Sequence, residues 1–239
     1  MNIETSDCRR AEPLALIFSR SFKQRGVFDQ SGQASVEFIL IFPVLFLILW
    51  SIIQFSQMYQ AKTALHFATF NAARHAAVRS GTFDAAREGL IKGMIPFYTT
   101  SPEPNAVWQA EQEVREHWDD EELFCINRIN PTDAAFLDFG DPIPNDNLLY
   151  REPTIGSSGL NIQDANLLKI EAVYCYPFFS LWNSLEIMQD IFADDIYQTS
   201  RQFCRDKRTR DNRPTVAITA SSVVRMQSSI ANDWAEDCN

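Results

Sequence analysis

Phe38 to Trp50 reads FILIFPVLFLILW, thirteen apolar residues in succession, and no charged side chain occurs between Glu37 and Lys62. Nothing else in the chain restricts its fold as strongly. A helix over Phe38–Tyr59 has 22 residues; at about 1.5 Å per residue it spans about 33 Å, enough to cross a hydrocarbon core of about 30 Å. An ordinary cleaved signal peptide has a shorter apolar region followed by a small-x-small site. Here the run passes instead into SIIQFSQMYQAK, so that reading is rejected and a membrane helix is expected.

Charge narrows the function. Lys and Arg number 21 against 31 Asp and Glu, a net −10, which opposes a nucleic-acid binder, since phosphate contact needs a basic footprint. With 46% apolar residues the chain can bury a core. Its 8 glycines form no phosphate-cradling loop. The flanks of the apolar run differ little in basic residues: Arg9, Arg10, Arg20, Lys23 and Arg25 precede it, and Lys62, Arg74 and Arg79 follow. Cysteines say more about orientation. Cys8 stands alone before the run, while Cys125, Cys175, Cys204 and Cys238 all follow it. An even four without CxxC spacing fits two disulfides in an oxidising compartment, with three connectivities open.

The junction Ser31-Gly32-Gln33-Ala34-Ser35-Val36-Glu37-Phe38 lies directly before the apolar run. It resembles the processing site of class III (type IV) prepilins, with a basic leader, Gly at the last leader position and Glu at the fifth mature position. GQASVEFILIFPVLFLILW and FNAARHAAV, with PTVAITASSVVRMQ near the C-terminus, are similar to the TadE-like pseudopilins of tight-adherence (Flp) pilus systems. Phe38 follows Glu37 where major Flp pilins usually carry Tyr, which suits a minor subunit.

The resemblance implies a leader over residues 1–32, cytoplasmic and cut between Gly32 and Gln33 by a prepilin peptidase. It implies a transmembrane helix over 33–60, a stem over 61–95 and a periplasmic or extracellular globular domain over 96–239. The expected location is the bacterial inner membrane, crossed once, with passage to the cell surface in a pilus. Implied partners are the peptidase, another pseudopilin, the major Flp-type pilin, membrane lipid and, indirectly, the assembly platform and its ATPase. Glu37 is implied in subunit registration through the new amine at Gln33. Residue chemistry supports that role: a carboxylate at the edge of hydrocarbon is costly unless paired, and Gln33 is one helical turn away. The simpler reading of Glu37 is an interfacial acid near a helix start. Pro43, inside the apolar helix, removes a backbone hydrogen bond and is expected to kink it.

Beyond the membrane run, Ala61–Val78 places small or apolar residues at 61, 64, 65, 68, 72, 73 and 76, the spacing of an amphipathic stem. Such a face permits close approach, either to the globular part or to another subunit. Ser80-Gly81 should end the stem, and a second helix should run from Phe83 to Met94 before Pro96. Val107–Phe124 reads as an acidic helix, and 127–163 as long surface loops. Lys169–Tyr176 and Thr215–Arg225 alternate as strands and should pair antiparallel, with one or two helices over 178–203 inserted between them. The expected class is α+β, pilin-like: a long N-terminal helix packed on a small antiparallel sheet.

Catalytic patterns are missing. His66, His75 and His117 have no second ligand-type residue at a metal spacing, and His66 and His75 fall within the stem. The run HWDDEEL at 117–123 reads as a solvated face. The Asp138-Phe139-Gly140 triplet, followed by Asp141 and Asp146, has neither kinase companions nor calcium-loop spacing. No metal, cofactor or enzymatic activity is expected. The alternative function is an uncleaved, signal-anchored periplasmic binding or adhesion module using the acidic, loop-rich middle; a tethered hydrolase is the third.

Overall fold

The computed structural model describes residues 33–119, 122–177, 202–205, 215–234 and 238. The chain divides into two compact units at Leu49/Trp50. Helix α1 spans Gln33–Ala77, 45 residues and about 67 Å of helix. Its apolar N-terminal part belongs to the first unit, and Trp50–Ala77 to the second.

In the second unit the stem stripe is buried as its spacing requires. Ala61, Leu65, Ala68, Ala72, Ala73, Ala76 and Ala77 are at most 1% exposed, and Thr69 is buried with its hydroxyl donating back to the Leu65 carbonyl. The helix ends in a left-handed corner. Ser80 and Gly81 adopt φ of 57° and 67°, and the Gly81 N–H returns to the Ala76 carbonyl at 2.9 Å. Helix α2 then spans Phe83–Tyr98, carrying Pro96 within it. Pro96 therefore does not stop the helix at Met94 as its sequence suggested. In the last turn the ring removes one bond only, and Thr99 closes the end by donating its N–H to Ile95.

The stem's small face meets α2 rather than remaining available for another subunit. Gly89 and Gly93 are four apart on α2, opposite Ala72 and Ala68. A Cβ on Gly89 would lie 2.7 Å from Ala72 Cα, and one on Gly93 would press into Ala68 Cα. The two backbones thus touch where neither helix carries bulk. His75 reinforces the pair, its Nδ1 donating to the Ala85 carbonyl at 2.9 Å.

Helix α3 spans Ala106–Asp119, shorter than the sequence suggested. Leu123 N–H bonds the His117 carbonyl, Glu122 turns to positive φ, and Phe124 already belongs to a strand. Ion pairs join α3 to α2: Arg115 holds Glu88 with both nitrogens (2.9 and 3.1 Å) while also reaching Glu111, and Arg87 pairs with Asp119. The Arg115 guanidinium holds Glu88 below the usual carboxylate range. The acidic helix is thus partly bound to its neighbour and only partly solvated.

Strands β1 (Phe124–Asn130), β2 (Leu167–Pro177) and β3 (Thr215–Arg225) form an antiparallel sheet in the order β1-β2-β3. Two strands were expected and they pair as expected, along all of β2; β1 is the addition. It falls partly within 127–163, which is not a continuous loop: the segment also contains α4 (Asp133–Phe139) and the start of the single turn α5 (Ile162–Ala165). One face of the sheet places Phe124, Ile126, Ile170, Ala172, Tyr174 and Ile218 in the same buried core as the stem alanines. A polar chain crosses that core, His117 Nδ1 to Tyr98 hydroxyl (3.0 Å) and on to Tyr174 hydroxyl (2.7 Å), tying α3, α2 and β2 together. The architecture is α+β, a long N-terminal helix with a small antiparallel sheet. Of the helices expected over 178–203, 178–201 lies outside the described residues, and 202–205 is helical.

The four later cysteines pair as Cys125–Cys238 and Cys175–Cys204. Cys125 faces Val173, and Cys175 faces Ala217, so both strand cysteines project from the sheet face opposite Phe124 and Tyr174. Each bridge fastens a later segment onto that face.

Candidate processing and assembly site

Every residue from Ser35 to Leu49 is exposed, and Glu37 is the sole charged side chain among them. Leu40 is 69% exposed, and the intervening Val, Ile, Leu and Phe side chains range from 39% upward. A helix apolar on all sides is stable where hydrocarbon or other helices replace water. Among the described residues one helix, Ser35–Ala77, is long and apolar enough to cross a membrane.

Helical geometry orders this surface. Phe38, Phe42 and Phe46 stack along one side, with centroids 5.3 and 6.3 Å apart, the i,i+4 arrangement. Glu37 stands beside the first of them, one turn from Gln33. Pro43 lies inside α1 with helix on both sides, and its missing N–H leaves the Ile39 carbonyl without its usual helical donor. Gly32 lies outside the described residues, as does the rest of the leader. The structure therefore brings Gln33, Glu37 and Pro43 onto one helix, while the cysteines form two bridges, each with one member on the sheet.

The other sequence candidates take part in packing. His66 is exposed on the stem, and His75 and His117 sit in the contacts above. Among the described residues no group of three His, Cys, Asp or Glu is arranged to hold a metal ion. In the acidic run, Asp119 is paired with Arg87; Asp120 and Glu121 lie outside the described residues. Asp141 accepts from the Asn232 N–H at 3.0 Å, and Asp146 pairs with Arg151 at 2.7 Å.

Asp138 braces the loop that follows it in space. Its carboxylate accepts from Ser157 Oγ (2.6 Å) and from the Ser158 N–H (2.7 Å), and these bonds hold its pKa at about 2, below the ordinary 3.8. Because the folded value is depressed, the bonds stabilise the fold above the unfolded pKa and that contribution is lost as pH falls through the folded one. Asp138→Ala is expected to lower Tm at neutral pH, with the difference from wild type narrowing between about pH 4 and pH 2. Thermal melts across that range check it; a constant difference contradicts it.

Two features escaped the sequence reading. The Gly89/Gly93 pair was readable as a small-xxx-small spacing. Arg128 was not, because it is a charge facing the core. Its side chain is 6% exposed, lies over the rings of Phe136 (4.8 Å) and Trp234 (5.9 Å), and donates to Asp133 and Asn232. Burial lowers its pKa, and the aromatic faces and Asp133 keep the charge tolerable.

No curated protein matches the chain, and no solved structure does. One family model does match, over a segment that takes in Gly32, Glu37, the apolar run and the stem as far as Arg74; it does not reach residues 214–227, the C-terminal stretch that resembles the same family. Residues 32–74 of this chain match the family described as TadE-like protein.

Proposed function

We propose that the chain is a minor pseudopilin of a tight-adherence pilus system, cut after Gly32 by a prepilin peptidase and used in priming, assembling or tipping the pilus. The coarser part of this reading, association with a Tad pilus, rests on the TadE-like match. The observation that carries the rest is the exposed helix of Ser35–Leu49, uncharged apart from Glu37. Such a surface suits lipid before assembly and a bundle of like helices afterwards.

Cutting after Gly32 would create an ammonium group on Gln33, one turn from Glu37. In lipid the carboxylate would pair with its own amine. In a bundle it would pair with a neighbour's, and that exchange would fix axial register, because a buried carboxylate without a cation is strongly disfavoured. Pro43 would give the helix a point of bending as its surroundings change. The globular unit would lie on the periplasmic side, where its two disulfides would form. The work assigned to the chain is structural, and the partners are the peptidase, a second pseudopilin, the major pilin and the assembly platform.

Glu37→Ala should leave trimming intact but yield few or no pili, counted by electron microscopy in cells producing the variant. Normal piliation in that strain would remove the assembly role. The anchored binding module has one observation in its favour. Leu137 on α4 and Leu149 and Tyr150 on the loop after it are 85–88% exposed, side chains of the kind that contact surfaces. An uncut leader in the mature protein would favour that reading.

A further inference from the structure

After β3 the chain turns back across the corner between α1 and α2. Gln227 N–H bonds the Ala77 carbonyl, the last of α1, at 3.0 Å, and Ala231 N–H bonds the Ser80 carbonyl at 2.9 Å. Ser228 closes the space between them, its hydroxyl accepting from the Ser80 N–H and donating to Ala77. At the start of α2, Phe83 N–H bonds the Asp233 carbonyl at 3.2 Å, and Trp234 meets the Phe83 ring edge-on at 5.6 Å. The corner thus has its exposed backbone groups satisfied by a segment far away in sequence.

The same segment is fastened on its other side to the globular unit. Ile230 exchanges two backbone bonds with Ile143 (2.8 and 3.0 Å) and is fully buried, with one methyl 3.1 Å from where a Gly81 Cβ would stand. Beyond Trp234, Cys238 is bonded to Cys125 on β1 across 113 residues. A segment held by a few hydrogen bonds opens locally at small cost. A covalent link at its far end removes most of the open conformations.

We propose that residues 226–234, closed by the Cys125–Cys238 bridge, are a redox-controlled strap that holds the stem's end and the α1–α2 corner to the globular domain. With the bridge formed, the strap stays down and the stem transmits force and orientation to the sheet. Reduction by a dithiol transfers two electrons to the bridge, gives two thiols at Cys125 and Cys238, and converts the reductant to its cyclic disulfide; the strap then frays and the corner loosens. The Cys175–Cys204 bridge lacks this effect, because it fastens residues 202–205 beside Thr215, at the start of β3. The inference is independent of the pilus assignment.

The test is hydrogen exchange on the full-length protein in detergent, following the amides of Ser80, Phe83, Gln227 and Ala231 against those of β2. In the Cys125→Ser/Cys238→Ser variant, and in the reduced wild type, these four should exchange at least about tenfold faster while β2 stays protected. Cys175→Ser/Cys204→Ser should leave them unchanged. Unaltered protection of the four in the first variant, with β2 folded, overturns the proposal. The reverse coupling covers the case in which that variant fails to fold. Trp234→Ala, with both bridges intact, should speed reduction of Cys125–Cys238 by dithiothreitol by at least about fivefold, because Cys238 is 3% exposed and a buried bridge is reduced through local opening, which a loosened strap makes more frequent. Reduction at the wild-type rate in Trp234→Ala likewise overturns it.

Discussion

Replacing Gly32 with phenylalanine is expected to leave nearly all of the protein as uncut precursor. A peptidase acting at the membrane surface has to draw an extended backbone into its site, and glycine offers no Cβ to obstruct it and no conformational bias against an extended or turned path. An aromatic side chain at the scissile residue would displace the reacting carbonyl by an ångström or more, which costs about 100-fold or more in rate. Gly32→Ala, adding one methyl, should slow trimming without abolishing it. The assay is the ratio of precursor to mature protein in membranes of cells with an active peptidase. Wild-type trimming of Gly32→Phe would show that the residue is not at the cut.

The second large effect lies in the folded unit. Gly93→Leu should separate α2 from the stem, because the first atom added would press into the Ala68 backbone itself. Backbone against backbone leaves no rotamer by which to escape, so one helix has to move. The expected destabilisation is about 3 kcal/mol or more, at the upper end for overpacking. The His75–Ala85 bond would be lost along with the contact. Lys92→Leu, one residue earlier but with a side chain 56% exposed, should change stability by no more than about 0.5 kcal/mol. Denaturant melts of both variants measure the difference, and equal stabilities would contradict the close α1–α2 contact.

The parts of this fold that sequence made visible are those in which side-chain period and environment agree. The alanine stripe of the stem has one buried side and obeys a helical period throughout. β3 alternates from Thr215 to Arg225 without a Pro or charge before its end, so both its limits were readable. β1 was hidden because FCINRIN breaks alternation. Arg128 sits where an apolar residue belongs, made tolerable by the distant Phe136 and Trp234, and the register shifts between Arg128 and Asn130. With β1 unseen, disulfide connectivity could not follow either: Cys125 is placed by its pairing opposite Val173, and only that pairing shows which face of the sheet it occupies. The stem's partner had the same difficulty. A small face shows that something approaches closely, and it took the facing Gly89 and Gly93 to show that the partner is α2.

The candidate site was readable to a different degree. The Gly32–Glu37 spacing and the apolar run are local, so the sequence displays them whole, and the family match covers both. What the run is for depends on surroundings that a single chain does not carry, since an exposed apolar helix is defined by what covers it.

The most direct test of the pseudopilin reading is the N-terminal residue of the protein recovered from membranes, with and without the cognate prepilin peptidase. The account predicts a chain beginning at Gln33 when the peptidase is present and at Met1 when it is absent. A chain that still begins at Met1 beside an active peptidase would contradict it.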